Sequence, residues 1–155
     1  MHVNVSHINA GEVGDSAEFE IQGENPDISD LELTQPISGR VQIVKLDDGL
    51  QLLGQVKLVF NLECYRCLDG YEHEANLKLS AIFADKPEED EWPIDAKDEI
   101  DLTPLIRQEA LVSIPIQQLC QEDCAGLCAE CGQKRSDGHQ HEIQEIIRQP
   151  RIKKG

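Results

Sequence analysis

The chain has 155 residues, of which 39% are hydrophobic and 4% aromatic, enough for one domain with an aliphatic core and a small satellite. Lys and Arg number 14 against 30 Asp and Glu, and the net charge of −16 repels bare nucleic acid over most of the surface. No apolar run reaches the roughly 18 residues of a transmembrane helix, and the first residues do not resemble a signal peptide. We therefore expect a cytoplasmic protein with no membrane partner and with reduced thiols.

The charges are distributed unevenly along the chain. Residues 85–101 carry nine acids against two lysines, a net charge of −7, and residues 132–155 carry six bases against three acids, a net charge of +3. The acidic stretch is typical of a solvated, mobile loop, and it also fits a docking surface for a basic partner.

The first 35 residues give weak signals, namely a strand at 18–22 and an acidic loop around Pro26. From Ile37 onwards, apolar and polar residues alternate, and Asp48-Gly49 predicts a hairpin turn. A two-residue period sustained over this length indicates an antiparallel sheet with one buried face, able to curl toward a barrel. The predicted strands are 37–43, 56–64 and 75–83.

An acidic loop at Asp85–Glu99 precedes a predicted helix. Asp101 or Thr103 can cap this helix, Pro104 fits its first turn, and Pro115 ends it. The residues expected to face the sheet are Leu102, Leu105, Ile106 and Ala110.

The six cysteines occur as one Cys-x2-Cys pair and one later group of four. Zinc prefers four tetrahedral thiolate or imidazole ligands, and a Cys-x2-Cys turn offers two sulfurs at once. A redox role would need the pair to open a helix after a strand, whereas a turn and a new strand follow it. The pattern therefore predicts structural zinc, one or two ions. The candidate ligands are Cys64, Cys67, Cys120, Cys124, Cys128, Cys131, His139 and His141.

Three ligand partitions stay open. A single site from Cys64, Cys67, Cys128 and Cys131 leaves Cys120 and Cys124 spare. A local site takes Cys120, Cys124, Cys128 and Cys131. In the third, Cys64, Cys67, Cys120 and Cys124 bind one zinc, while Cys128, Cys131, His139 and His141 bind another.

These elements predict an α+β fold. It consists of a small antiparallel sheet that is able to adopt a barrel-like form, one packed helix and a cysteine-rich zinc-binding C-terminal segment. Residues 1–115 form the sheet-plus-helix domain, with 1–35 weakly defined. Residues 116–141 form the zinc-binding segment packed on it, and 142–155 form a basic tail that begins with a short helix at 142–148.

The motifs come in an order that resembles the YceD family. They are Cys64-Tyr65-Arg66-Cys67-Leu68 after a long strand, Ile100-Asp101-Leu102 opening a helix, Ile114-Pro115-Ile116, and the run from Cys120 to Gly132. The resemblance covers roughly residues 37–132. It implies a role in the accumulation of 23S ribosomal RNA, in a family whose genes often neighbour one for a large-subunit ribosomal protein.

We therefore expect a non-catalytic accessory factor in large-subunit biogenesis that binds a ribosomal protein or an assembly intermediate and contacts rRNA indirectly. The alternative is a direct RNA-binding zinc protein that uses its cysteine turns and basic tail, although few aromatic residues are available for stacking. An enzyme would need a zinc with an open coordination position and a nearby base, and four-cysteine sets close that position.

Overall fold

A computed structural model describes residues 1–23, 28 and 30–135 of the protein. The predicted loop around Pro26 is described only in part, and the predicted helix at 142–148 and the basic tail lie outside the described residues. The elements are β1 (His2–Asn4), α1 (Ser6–Asn9), β2 (Ser16–Gly23), β3 (Ile37–Lys45), β4 (Leu50–Glu63), β5 (Gly70–Ala84), β6 (Trp92–Pro93), β7 (Glu99–Asp101) and α2 (Thr103–Ser113).

The chain divides into two compact units. The sheet unit comprises residues 1–62 and 72–116, and the cysteine unit comprises residues 63–71 and 117–155. The cysteine unit differs from the predicted 116–141 segment because it also contains the connection between β4 and β5. That connection carries the first cysteine pair.

The main sheet of the sheet unit has five strands in the order β2-β3-β4-β5-β6, and β1 pairs with β7 in a separate two-stranded sheet. Among the described strands β2 and β6 are the two edges, so the sheet does not close and the barrel-like form is wrong. Strand β6 also pairs in parallel with the end of β5, in contrast to the purely antiparallel prediction. Pro93 has no N–H to donate, and an edge strand tolerates this.

The predicted alternation is confirmed in both long strands. In β4, Val56, Leu58 and Phe60 are buried, whereas Lys57 and Asn61 are exposed. Strand β5 follows the same period, with its buried side formed by Ala75, Leu77, Leu79, Ala81 and Phe83. The buried apolar faces supply the core that holds the sheet unit together.

Helix α2 forms where the sequence predicts it and buries Leu105, Ile106 and Ala110. The N-cap is Leu102 and no side chain caps the helix, so the predicted capping by Asp101 or Thr103 is not found. The Asp101 carboxylate instead accepts a hydrogen bond from the N–H of Thr103 at 2.9 Å, just before the first turn. No helix among the described residues is long and apolar enough to cross a membrane.

The sequence does not predict β1, α1, β6 or β7. His2 pairs with Asp101, which lies far from it in the sequence. A pattern of neighbouring residues gives no information about such a distant partner. Strand β6 lies inside the predicted acidic loop, because the two residues that pair there are too few to show a period.

Candidate metal centre

The first cysteine pair lies in the turn that follows β4. The N–H of Cys64 donates to the carbonyl of Asp69 at 2.8 Å, and the N–H of Leu68 donates to the carbonyl of Cys64 at 2.8 Å. Leu68 has a φ of 62°, in the left-handed region that non-glycine residues seldom adopt. These features make a tight turn that begins at Cys64 and closes just after Cys67.

Cys120 and Cys124 come from the segment after α2, and backbone hydrogen bonds join this segment to the first turn. The N–H of Tyr65 donates to the carbonyl of Gln118 at 2.8 Å, and the N–H of Leu127 donates to the carbonyl of Arg66 at 3.1 Å. The two pieces of chain are therefore held side by side by main-chain atoms.

The four sulfurs of Cys64, Cys67, Cys120 and Cys124 all lie within 4.8 Å of one another. Cys64 Sγ is 3.8 Å from Cys124 Sγ, and Cys67 Sγ is 3.7 Å from Cys120 Sγ. A tetrahedron with metal–sulfur bonds of about 2.3 Å has sulfur–sulfur edges of about 3.8 Å. The cluster could hold a metal ion, and its dimensions fit a tetrahedral one.

Three of these sulfurs are buried. Cys64, Cys67 and Cys124 form a small core against which Tyr71 and Leu119 pack, and Cys120 is exposed. The buried members of this small core are therefore all cysteines.

The protonation of each thiol depends on its neighbours. Burial raises the pKa of the Cys64 thiol, but backbone N–H groups of Cys67, Cys120 and Arg66 outweigh this and lower the pKa to about 6. Burial and the adjoining cysteines raise the pKa of Cys120 to about 12. Negative charges at this separation repel unless a cation lies between them, so the donor set is one that a divalent metal would stabilise.

Arg66 connects the two halves of the cluster through its side chain as well as its backbone. Its guanidinium donates to the carbonyl of Cys124 at 3.0 Å and approaches the carbonyl of Glu122 at 3.5 Å. On the opposite segment, Gly126 has a φ of +75°, and a Cβ there would lie 3.1 Å from the Arg66 carbonyl. The positive φ and the close approach of the two segments therefore both favour glycine at this position.

The second Cys-x2-Cys pair repeats the hydrogen-bond pattern of the first. The N–H of Cys128 donates to the carbonyl of Gln133 at 2.7 Å, and the N–H of Gly132 donates to the carbonyl of Cys128 at 2.9 Å. Gly132 has a φ of 73° and occupies the place that Leu68 has in the first turn. Backbone N–H groups of Cys131 and Glu130 lower the pKa of the Cys128 thiol.

The structure brings together the four cysteines that form the first site in the two-ion partition. Cys128 and Cys131 are not part of the four-sulfur cluster among the described residues, and His139 and His141 lie outside the described residues. The roles of Arg66 and Leu68 were not predicted from the sequence. For Leu68 the sequence does contain a signal. Leu68 follows Cys67 as Gly132 follows Cys131, and a glycine directly after a Cys-x2-Cys pair indicates a left-handed turn at both positions.

Comparison with known proteins identifies a family. The profile of the large ribosomal RNA subunit accumulation protein YceD matches residues 52–153, which is more than half of the chain. The matched region contains all six cysteines.

The chain is also similar to uncharacterized proteins of mycobacteria. It is 29% identical over 111 residues to one of Mycobacterium bovis and to one of Mycobacterium tuberculosis, covering 66% of this chain and 54% of each relative. It is 28% identical over 121 residues to one of Mycobacterium leprae, covering 72% of this chain and 56% of the relative. The chain thus spans about half the length of the curated relatives it matches. No solved structure matches it significantly.

Proposed function

The chain belongs to the YceD family, and from this premise we propose that it is a non-catalytic accessory factor in large ribosomal subunit biogenesis that supports accumulation of 23S rRNA. The observation that carries the proposal is the family match, which covers residues 52–153. We place it in the cytoplasm, where reducing conditions would keep its six cysteines out of disulfides and available as metal ligands.

We assign a structural zinc ion to Cys64, Cys67, Cys120 and Cys124. The sulfur–sulfur distances of 3.7 and 3.8 Å support this assignment. Four thiolates complete a tetrahedral zinc, so no position is left for a water or a substrate. The ion would stabilise the fold of the cysteine unit and would not act in a reaction.

We assign a second zinc ion to Cys128 and Cys131, completed by His139 and His141. The support is the shared hydrogen-bond pattern of the two Cys-x2-Cys turns. A turn of this form presents two sulfurs to one metal. The two histidines enter from the sequence alone, which places them eight and ten residues after Cys131.

Metal analysis of the protein purified without added metal tests both assignments. We expect two zinc ions per chain, with Cys64→Ser and Cys128→Ser each removing one. Tetrahedral thiolate sites also accept iron, and a red, iron-containing protein would correct the metal but not the ligands. Less than half an equivalent of metal, in protein never exposed to chelator or acid, would overturn the assignments.

The partner we propose is a basic ribosomal protein or an assembly intermediate that presents one. The sheet unit has 22 Asp and Glu residues against 7 Lys and Arg, a net charge of −15. Such a surface attracts a basic protein and repels naked RNA.

Two measurements test the function. Cells lacking the gene should accumulate less 23S rRNA, and the chain should restore the normal amount. Ribosomal proteins should co-purify with the chain after nuclease treatment, in an amount that falls as salt rises. Normal 23S rRNA in cells without the gene contradicts the accessory role.

Direct RNA binding is the second candidate, and the exposed aromatic Tyr65 favours it. Its side chain is 62% exposed, beside the cation Arg66, so it could stack on an unpaired base. This candidate predicts that partners are lost with nuclease. It also predicts that neutralising Arg148, Arg151, Lys153 and Lys154 abolishes binding to naked rRNA, whereas the accessory role predicts that this variant still binds assembly particles.

A further inference from the structure

Helix α2 has an exposed apolar side in addition to its buried one. Leu111 is 41% exposed and Val112 is 75% exposed, and Ile116, shortly after the end of the helix, is 95% exposed. Single exposed aliphatic side chains are common on protein surfaces, but three of them within six residues form a cluster of the kind that marks a contact surface. We call Leu111, Val112 and Ile116 the α2 face.

An acidic cleft borders the same side of the helix. Its volume is about 370 Å³, and it is lined by Glu89, Asp90, Glu91, Trp92 and Gln108. Gln108 precedes Leu111 and Val112 by three and four residues, and residues at these spacings share one side of a helix. Leu111 and Val112 therefore lie on the side of the helix that carries the Gln108 wall of the cleft, and Ile116 follows three residues after the helix ends at Ser113.

Local hydrogen bonds and a strand pairing shape the acidic wall of the cleft. The N–H of Glu88 donates to the Glu91 carboxylate at 3.0 Å, and the N–H of Glu91 donates to the carbonyl of Glu88 at 3.1 Å. Trp92 then pairs with Phe83 at the sheet edge. Within the described part of the chain, Glu89 and Asp90 are exposed and form no ion pair.

We propose that the α2 face and the acidic cleft together dock an amphipathic, Lys- and Arg-rich segment of a protein partner. The apolar side of such a segment would cover Val112 and Ile116, and its cations would pair with the carboxylates of Glu89 and Asp90. Trp92, which is half-buried, offers the aromatic surface that a Lys or Arg side chain prefers. This inference rests on the proposed function, because it names where a basic ribosomal protein would bind.

Charge repulsion opposes the two competing occupants of this surface, RNA and a second copy of the chain. RNA would bring phosphates against Glu89 and Asp90, and a second copy of the chain would bring a sheet unit of net charge −15 against an identical one. A basic partner is attracted by both the cleft and the whole sheet unit.

The test uses Trp92, the only tryptophan in the chain, as a reporter of binding. The probe is a synthetic helical peptide of about 18 residues, roughly five turns, with leucines along one side and lysines along the other. A second peptide has serine in place of leucine, and a third has glutamate in place of lysine. We expect the first peptide to change the tryptophan fluorescence of the metal-loaded 155-residue chain at the lowest concentration, and the glutamate peptide to leave it unchanged.

Two pairs of variants locate the contact. Val112→Ser with Ile116→Ser should weaken binding of the leucine–lysine peptide about tenfold, whereas Val13→Ser should not, although Val13 is 61% exposed in the same unit. Glu89→Lys with Asp90→Lys should also weaken binding, and Asp47→Lys with Asp48→Lys should have a smaller effect. The second pair makes the same charge change in the turn between β3 and β4.

Equal affinity of the α2-face variant and the wild type would overturn the docking surface, as would equal affinity of the leucine and serine peptides. Concentration-dependent dimers that are abolished in the variant Val112→Ser with Ile116→Ser would assign the face to a second copy. Tighter binding of an rRNA fragment than of the peptide would assign it to RNA.

A cellular measurement separates failure of the docking surface from failure of the accessory role. If the α2-face variant restores 23S rRNA as fully as the wild type does, the docking surface is refuted and the accessory role stands. Normal 23S rRNA without the gene refutes the role, while peptide binding still measures the surface.

Discussion

The sheet unit carries 22 Asp and Glu residues against 7 Lys and Arg, whereas the cysteine unit carries 8 against 7. They also differ in what they bury. The sheet unit buries long aliphatic and aromatic faces, whereas the buried hydrophobic residues in the described part of the cysteine unit are cysteines, namely Cys64, Cys67, Cys124 and Cys128. A core this small provides little hydrophobic free energy. The sheet unit can therefore fold by apolar burial, whereas we propose that the cysteine unit needs the metal assigned to it above.

Loss of the proposed metal should give the largest difference in stability between the two units. We expect Cys64→Ser, or a strong chelator, to unfold the cysteine unit, because structural zinc contributes roughly 10 kcal/mol to the folding of small zinc domains. Hydrogen exchange should then lose protection at residues 63–71 and 117–135 and keep it in β3, β4 and β5. Simultaneous loss of protection in both units would mean that they do not fold independently.

A cavity in the sheet core should have the opposite selectivity. Phe60 is fully buried, and its ring lies 5.4 Å from that of His73. We expect Phe60→Ala to lower the free energy of unfolding of the sheet unit by about 3–5 kcal/mol and to leave the metal content unchanged. Denaturant unfolding with metal analysis measures both. Phe19→Ala on the edge strand β2 is the matched control and should cost less, because Phe19 is only half-buried.

The sequence predicted most of the sheet unit because its signals are local. The alternation in β4 and β5, with Val56, Leu58 and Phe60 on one side, can be read from neighbouring residues alone, and so can the start of α2 at Thr103-Pro104. The pairing of β1 with β7 could not be predicted in this way, because it depends on residues nearly 100 positions apart.

The cysteine unit was predictable in composition but not in arrangement. Spacing identified the candidate ligands, yet three partitions fitted it equally, because the distance between Cys67 and Cys120 depends on the fold of the intervening strands. Tertiary contacts such as the Arg66 hydrogen bond to Cys124 decide the grouping in the structure, and a sequence shows neither partner's position.

Arg66 should matter only to the cysteine unit. Its hydrogen bond to the Cys124 carbonyl is charge-assisted but partly exposed, so we expect Arg66→Ala to cost about 1–2 kcal/mol and to make metal release to a chelator about tenfold faster. Arg107→Ala is the control, since Arg107 pairs with Asp30 at an exposed position of the sheet unit. If the two variants release metal at the same rate, Arg66 does not hold the ligand segments together.

The smallest effect should come from the two cysteine turns, which have the same hydrogen bonds but different residues at the left-handed position. A non-glycine residue with positive φ costs about 1 kcal/mol, and Leu68 bears this cost with a side chain that is 56% exposed. Leu68→Gly should therefore stabilise the cysteine unit by up to about 1 kcal/mol. In Gly132→Ala the added Cβ meets no atom within 4 Å. This variant should therefore destabilise the unit by about the same amount, through backbone strain alone. The midpoint of chelator-induced unfolding, followed by hydrogen exchange in residues 63–71 and 117–135, measures both changes. Loss of stability in Leu68→Gly would mean that the exposed leucine side chain makes a contact worth more than the strain, and the two turns would then not be equivalent.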